Sequence, residues 1–470
     1  MTLSSFAQRT QNLRRVRAYS LSLAVLALFA FSFALPSAGS AAPPVATGIL
    51  SQPAVPDGCI SRDGSGGDCT ANGLMSGAAG VAVSPDNKHV YVTSFRKHAI
   101  VAFSRDETTS VLTQIDCYVK DTTPGCTQVT PLTQPYAIAV TPDGKFVYVS
   151  AQGSDAVIVL SRDKKTGKLT KKSCVGRSSA GGCAHPVNPL NHPQGLAISK
   201  DGKFVFVAVR VDDAVIAFTR NKNTGALSKA NCVSNRELES ATCSVGVGLE
   251  DPRDVAVSKD GKNVYVASKG SNAVAALSVD KKTGAVAQLP GTDGCVSADG
   301  TGGACIAGDA LGEPLRVDVS PDGKHVYVAS SDSGAVALFS RQKKGELTQI
   351  GCISNDGSGG ACTQGTGLAG ASGVAVSPDD TSVYVAAWVS SAVAVFARDK
   401  KTGLLTQLPP TDGCVSLDGT GGACATGVGL DGAQEVSVTP DGTGVYVTAG
   451  DKSDIGITTT SNAVAVFSRE

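Results

Sequence analysis

GVAVSPDDTSVYVAAWVSSAVAVFARDKKTGLLTQL, residues 373–408, holds four short apolar runs at 374–377, 383–387, 392–397 and 404–408. Pro378-Asp379-Asp380 separates the first two, Val389-Ser390-Ser391 the next, and Asp399-Lys400-Lys401-Thr402-Gly403 the last. Val-rich runs of this length, bounded by Pro, Asp, Ser and Gly, read as β-strands joined by hairpins. Their nearly continuous apolar character predicts sheets covered on both faces.

The same pattern recurs along the chain. Its first-strand phrase is VAVSPDNK from Val81, IAVTPDGK from Ile138, LAISKDGK from Leu196 and VAVSKDGK from Val255. It returns as VDVSPDGK from Val317, VAVSPDDT from Val374 and VSVTPDGT from Val436. A third-strand phrase answers each: IVAFSR, VIVLSR, VIAFTR, VAALSV, VALFSR, VAVFAR and VAVFSR. Four strands repeated seven times predict an all-β, seven-bladed β-propeller with four-stranded antiparallel blades around a channel.

The last repeat ends at residues 464–470 without an outer strand or cysteine pair of its own. GILSQPAVPDGCIS, residues 48–61, matches GLLTQLPPTDGCVS, residues 403–416, and supplies both. Residues near Ile49 to Gln52 are therefore expected to complete the last blade, removing an open sheet edge.

Fourteen cysteines form seven local pairs. They are Cys59 with Cys69, Cys117 with Cys126, Cys174 with Cys183, Cys232 with Cys243, Cys295 with Cys305, Cys352 with Cys362, and Cys414 with Cys424. Each lies between the outer strand of one blade and the inner strand of the next. Pairing Cys69 with Cys117 would join opposite edges of one blade, beyond the ~7 Å reach of a disulfide. One disulfide per blade junction is expected, which fits an oxidising compartment. Zinc is the rival reading, but the spacings lack CxxC character and the chain has only five histidines.

The chain has 470 residues and a formal net charge of zero, which argues against nucleic acid as a partner. Fifty-four glycines and 5% aromatics suit a sheet protein with small side chains between layers. Arg9, Arg14, Arg15 and Arg17 precede an apolar run at 21–35 and small residues at 37–42. This reads as a secretory signal peptide over residues 1–41, with the propeller at 42–470. The apolar run is shorter than the ~20 residues a membrane helix needs, which disfavours a retained anchor. No membrane span is expected in the mature chain, which would be secreted or associated with the cell envelope.

Strand order sorts the loops onto two faces. The first-to-second hairpins and third-to-fourth turns share one face, where repeated Lys and Asp residues read as solvated turn chemistry. The disulfide loops and second-to-third loops share the other. Here the repeats differ, and variation on a fixed scaffold is where function is written. Ahead of the inner strands stand Gln134-Pro135-Tyr136, His192-Pro193-Gln194, Asp251-Pro252-Arg253-Asp254, Glu313-Pro314-Leu315-Arg316 and Gln434-Glu435. After second strands come Phe95-Arg96-Lys97-His98, Arg210, Lys269 and Trp388, the only tryptophan. These positions should ring one channel mouth. Their arginines and carboxylates suit an anionic ligand held by charge-assisted hydrogen bonds, or else ion pairs between blades. Arg96, His98, Arg210, Asp254, Lys269 and Trp388 are the candidate binding residues. The enlarged loop of the last blade, residues 450–462, is a candidate partner-binding element.

The glycine loops at 63–68, 299–303 and 356–360 offer too few carboxylates for calcium, and read as turns inside the disulfide loops. No GxSxG, HExxH or P-loop motif occurs. No metal site and no cofactor are expected.

SPDGKHVYVASSDSGAVALFSR, residues 320–341, resembles the lactonase-type propellers, which include 6-phosphogluconolactonase-like and carboxymuconate cyclase-like proteins. Tyr91-Val92-Thr93-Ser94 and Tyr446-Val447-Thr448-Ala449 resemble the YVTN motif of surface-layer propellers. The likeness covers residues 49–470 and implies seven blades. Lactonase-type members carry motifs resembling P-R-H and H-P-H ahead of inner strands. Arg253 matches the first arginine and Asp254 stands at its histidine; His192-Pro193 matches the start of the second, with Gln194 at its final histidine. Lys269 and Ser331-Asp332 occupy positions where a glutamate often follows a second strand.

Two functions are carried forward. One is an exported binding scaffold acting through the disulfide-loop face, with an extracellular protein, a glycan or a small anionic ligand as partner, and a monomeric state. The other is a lactonase-like hydrolase acting on an extracellular lactone or anionic sugar. There Arg253 and Arg316 would polarise the carbonyl or hold a carboxylate, while His192 or Glu435 activates water.

Overall fold

The computed structural model describes residues 48–179, 182–238, 243–450 and 461–470. The expected signal peptide and most of the 450–462 loop lie outside these residues. Seven sheets form, each running from an inner strand outward. The inner strands are Ala78–Val83, Pro135–Val140, Pro193–Ile198, Pro252–Val257, Pro314–Val319, Ala371–Val376 and Ala433–Val438. Each packs on the next, and the last packs on the first, so the blades close into a ring. We number them one to seven from Ala78.

The second strands carry the core. Strands such as Phe204–Val209 and Ser382–Ala387 are buried along their entire length, because neighbouring blades cover both faces. Each fully buried aromatic or aliphatic side chain contributes roughly 1.5–3 kcal/mol. Inner strands come closer still. A Cβ on Gly80 would lie 2.5 Å from the Tyr136 carbonyl oxygen, and one on Gly195 the same distance from Asp254 Cα. These glycines let one inner strand lie against the backbone of the next.

Every cysteine pairs within its own loop, as the spacing predicts. Cys59 bonds to Cys69, Cys117 to Cys126, Cys174 to Cys183 and Cys232 to Cys243. Cys295 bonds to Cys305, Cys352 to Cys362 and Cys414 to Cys424. Their Cα–Cα distances of 4.6 to 4.8 Å fall within disulfide reach. No described cysteine is left as a thiol, so none is available to zinc.

Each blade also gains a fifth short strand, beyond the four expected. Ile60 and Ser61, for example, pair in parallel with Thr70 and Ala71. The cause is the disulfide itself, which folds the chain back beside the outer strand within about ten residues.

Blade seven is completed by the N-terminal segment. Leu50 and Ser51 pair with Arg469 and Ser468, and Cys59–Ser61 pairs with residues 463–465.

A repeated polar contact joins the blades on the hairpin face. Tyr91 of blade one donates its hydroxyl hydrogen to the Gly167 carbonyl of blade two at 2.7 Å. Arg162, at the end of blade two's third strand, donates to that hydroxyl at 3.0 Å and to Asp86 at 2.7 Å. Burial pushes Tyr91 up to about 12. Against desolvation, hydrogen bonds from Ser84 and Arg162 hold the Asp86 carboxyl low. The same Arg Nε to Tyr hydroxyl bond occurs at four further junctions, at 2.7 to 3.1 Å. Between blades four and five, Arg341 reaches Asp260 and Asn263, while Tyr265 donates to Gly345. Between blades three and four both partners are absent together: Phe206 and Val279 stand in their places within one apolar cluster.

Candidate functional site

The starts of the inner strands and the ends of the second strands meet at the channel mouth on the disulfide-loop face, around a cavity of about 380 Å³. Three arginines line it, Arg96, Arg210 and Arg253, from blades one, three and four. Four glutamines join them: Gln134, Gln152, Gln194 and Gln434. Phe95 and Tyr136 form its aromatic wall, edge to face with ring centroids 6.4 Å apart. The second residue of the inner strand lines it in five blades, as Ala79, Tyr136, Gln194, Arg253 and Gln434, beside a break in the register with the second strand.

Asp251 organises the arginines. Its two oxygens accept from Arg210 Nε at 3.1 Å and from Arg253 Nη2 at 2.7 Å. Arg253 Nε is buried and has no hydrogen-bond partner among the described residues, and neither has the buried Gln194 Oε1. Gln194 is only 2% exposed, and its amide donates to Gln152 Oε1 at 3.2 Å. An unpaired buried polar atom costs about 1–3 kcal/mol. Here a donor and an acceptor, both closed to solvent, are left unpaired on two residues that line the same cavity.

A charged layer lies in the channel wall around this mouth. Arg316 donates to Glu435 at 3.1 Å and its guanidinium lies 5.3 Å from the centre of the Tyr136 ring. Blades five, seven and two thereby meet across the channel. Burial, with Arg316 opposing, raises the Glu435 carboxyl. Burial pushes Asp254 up to about 7, against Arg316 and aided by Glu435. Asp254 accepts from the Val317 amide at 3.2 Å, and lies against Gly195, the residue after Gln194. Asp318, one layer further along, is pushed up to about 6 by burial, with amides of Val376 and Val319 opposing.

The remaining candidates sit outside this cavity's lining. His192 is held by Asn191 Oδ1 at 2.8 Å and faces Asp155 at 3.6 Å. His98 accepts the Gln134 amide hydrogen at 3.0 Å, fixing the mouth loop rather than facing the cavity. Lys269 pairs with Glu313 at 3.2 Å. Trp388 lines a separate groove between blades five and six. In the glycine loops, Asp299 caps a turn by accepting the Thr301 amide at 2.8 Å.

The sequence reading placed Asp251, Gln134, Gln194 and Gln434 at this mouth without singling them out as site residues, and it missed Gln152. Their signal was positional, since each occupies a place that varies between repeats while its neighbours do not.

The sequence matches the family described as "Lactonase, 7-bladed beta-propeller" over residues 60–185, 118–246, 190–295 and 316–413. It is 32% identical over 94 residues to a 6-phosphogluconolactonase of Formosa agariphila, a match covering 20% of this chain and 24% of that protein. The chain thus spans about a quarter of that curated relative's length. Among solved structures, a Lactobacillus plantarum protein superposes with a TM-score of 0.51 at 21% identity, covering 70% of this chain and 83% of that one. The periplasmic gluconolactonase of Pseudomonas aeruginosa gives 0.51 at 18% identity, again covering 70% and 83%. At these identities the structural likeness is one of fold.

Proposed function

The chain belongs to the lactonase family of seven-bladed propellers, and from that premise we propose that it hydrolyses a sugar-acid lactone at the arginine-lined channel mouth. The observation that carries this reading is the unpaired donor and acceptor on two residues lining the cavity, Arg253 Nε and Gln194 Oε1. A lactone carbonyl suits the first and a ring hydroxyl the second.

In this reading Asp251 holds Arg253 and Arg210 so that the guanidinium of Arg253 meets the carbonyl oxygen as negative charge develops there. Asp254, adjacent to Arg253, is the general base, with a carboxyl poised near neutrality. It takes a proton from water as the water oxygen bonds to the carbonyl carbon. The ring C–O bond then breaks, the proton passes to the leaving oxygen, and a hydroxy acid departs. Glu435 keeps Arg316 in place beneath Tyr136, and His192 stays at the rim.

Seven disulfides favour an oxidising compartment. The fold likeness to a periplasmic gluconolactonase supports an extracytoplasmic site of action. The substrate would then be a lactone outside the cytoplasm.

The test is turnover of a panel of aldonolactones by purified protein. Hydrolysis of at least one, reduced about a hundredfold in Arg253→Gln, is expected. No turnover, or turnover indifferent to Arg253→Gln and Asp254→Asn, would overturn the reading. Binding of aldonates without turnover would instead mark a receptor built on the same residues.

A further inference from the structure

A second groove, of about 390 Å³, opens on the disulfide-loop face between blades five and six, and shares no lining residue with the channel mouth. Trp388 forms one wall, half-buried, with Val389 beside it 54% exposed. The indole can lie there only because residue 370 is glycine. A Cβ at Gly370 would come within 2.5 Å of indole Cδ1 and Nε1. Blade one repeats the arrangement, with Phe95 at the position of Trp388 and Gly77 at that of Gly370; there the aromatic faces the channel mouth.

Across the groove stand Asp332, Asn355 and Asp356. The Asp332 carboxylate makes no hydrogen bond or ion pair among the described residues. Asp356 uses Oδ1 on the Ser358 amide at 2.8 Å, which leaves Oδ2 open. Asn355 uses its carbonyl oxygen on the Leu368 amide at 3.2 Å, which leaves its amide hydrogens open. Glu313 is already engaged by Lys269 and Ser331. The groove therefore combines one flat apolar ring with unpaired acceptors and a donor opposite it. The groove between blades three and four, lined by Asn235, Glu250 and Asn272, has no aromatic residue among its described lining.

We propose that this groove holds a pyranose ring of a neutral oligosaccharide, stacked on Trp388 with its hydroxyls bonded to Asp332, Asp356 and Asn355. The C–H face of a pyranose is apolar and matches an indole, while its equatorial hydroxyls project at the ring edge toward acceptors. Two carboxylates with no cation among the described lining residues repel an acidic sugar. A lone aromatic without an enclosing cage gives a simple cation little purchase.

Because Trp388 is the only tryptophan, emission excited selectively at the indole, away from the nine tyrosines, reports on this site alone. Maltohexaose and chitohexaose are the probes, with polygalacturonate and choline as comparisons. A saturable emission shift with at least one neutral hexasaccharide, and none with polygalacturonate or choline, is expected. Asp332→Ala should weaken the apparent affinity about tenfold, the worth of a hydrogen bond to a charged acceptor. Arg253→Gln should titrate like the wild type, so the outcome is independent of lactone turnover. Trp388→Ala should lose the heat of binding in calorimetry while keeping its melting temperature. No saturable shift with either hexasaccharide, a shift with choline or polygalacturonate only, or an Asp332→Ala titration equal to wild type would overturn the proposal.

Discussion

Arg398 Nε donates to the Tyr327 hydroxyl at 2.7 Å, across the junction between blades five and six. The guanidinium also reaches Asp322 at 3.2 Å, and its side chain is fully buried. Truncating it leaves a buried phenol and a carboxylate without their partner. Arg398→Val should cost about 3–5 kcal/mol, read from denaturant unfolding. The junction between blades three and four shows the remedy, because Phe206 and Val279 replace both partners at once. Tyr327→Phe combined with Arg398→Val should therefore be more stable than Arg398→Val alone. A double variant that is less stable would refute this account.

Asp254 carries a pH signature. Its folded carboxyl sits near 7 against an ordinary value of 3.8, so the folded state keeps a proton that the unfolded chain gives up. Stability from this group is lost as pH rises from about 4 to about 7, and the loss is complete above that. Asp254→Asn, which can still accept the Val317 amide hydrogen, should melt higher than wild type at pH 8 and equal to it near pH 4. The same variant should lose lactone turnover, and wild-type turnover should rise with pH through about 7.

The ring closes through a short segment. Cys59–Ser61 and Leu50–Ser51 form a broken outer strand, whereas the equivalent strand of blade five, Leu347–Ser354, is continuous. The loop from Cys59 to Cys69 and the loop from Cys352 to Cys362 have the same sequence separation of 10 residues. Chain entropy therefore assigns both about 2–3 kcal/mol. Replacing Cys59 and Cys69 by serine should nevertheless lower the melting temperature more than replacing Cys352 and Cys362. Limited proteolysis should cut the first variant near residue 58 and leave the second intact there.

Asp251 positions two arginines and touches no substrate in the proposed reaction. Asp251→Asn removes the charge that orients both. KM for an aldonolactone should rise about tenfold with kcat changed less, whereas Arg253→Gln should lower kcat. Equal effects of the two variants on kcat would place Asp251 in the chemistry instead.

Much of the fold was legible without coordinates because a repeat turns a long-range problem into a local one. Seven copies of one phrase fix the number of blades. A short spacing makes each cysteine pair close on itself, and the match of residues 48–61 to 403–416 identifies the missing strand. The blade junctions were half legible: Tyr and Arg recur in the phrases and fail together at Phe206 and Val279, a signal that becomes meaningful once both are seen to meet. The fifth strand was not, since two-residue pairings leave no periodicity.

Sequence alone therefore settled the wheel, its closure and its disulfides, and brought Arg96, Arg210 and Arg253 to the right rim. Only the tertiary structure decided that Asp251 joins two of those arginines, that Arg316 reaches from blade five to Glu435 and Tyr136, and that Asp254 holds its proton near neutrality. Those outcomes depend on channel width and desolvation, which arise when residues more than a hundred positions apart are packed around one axis, and no local pattern encodes either.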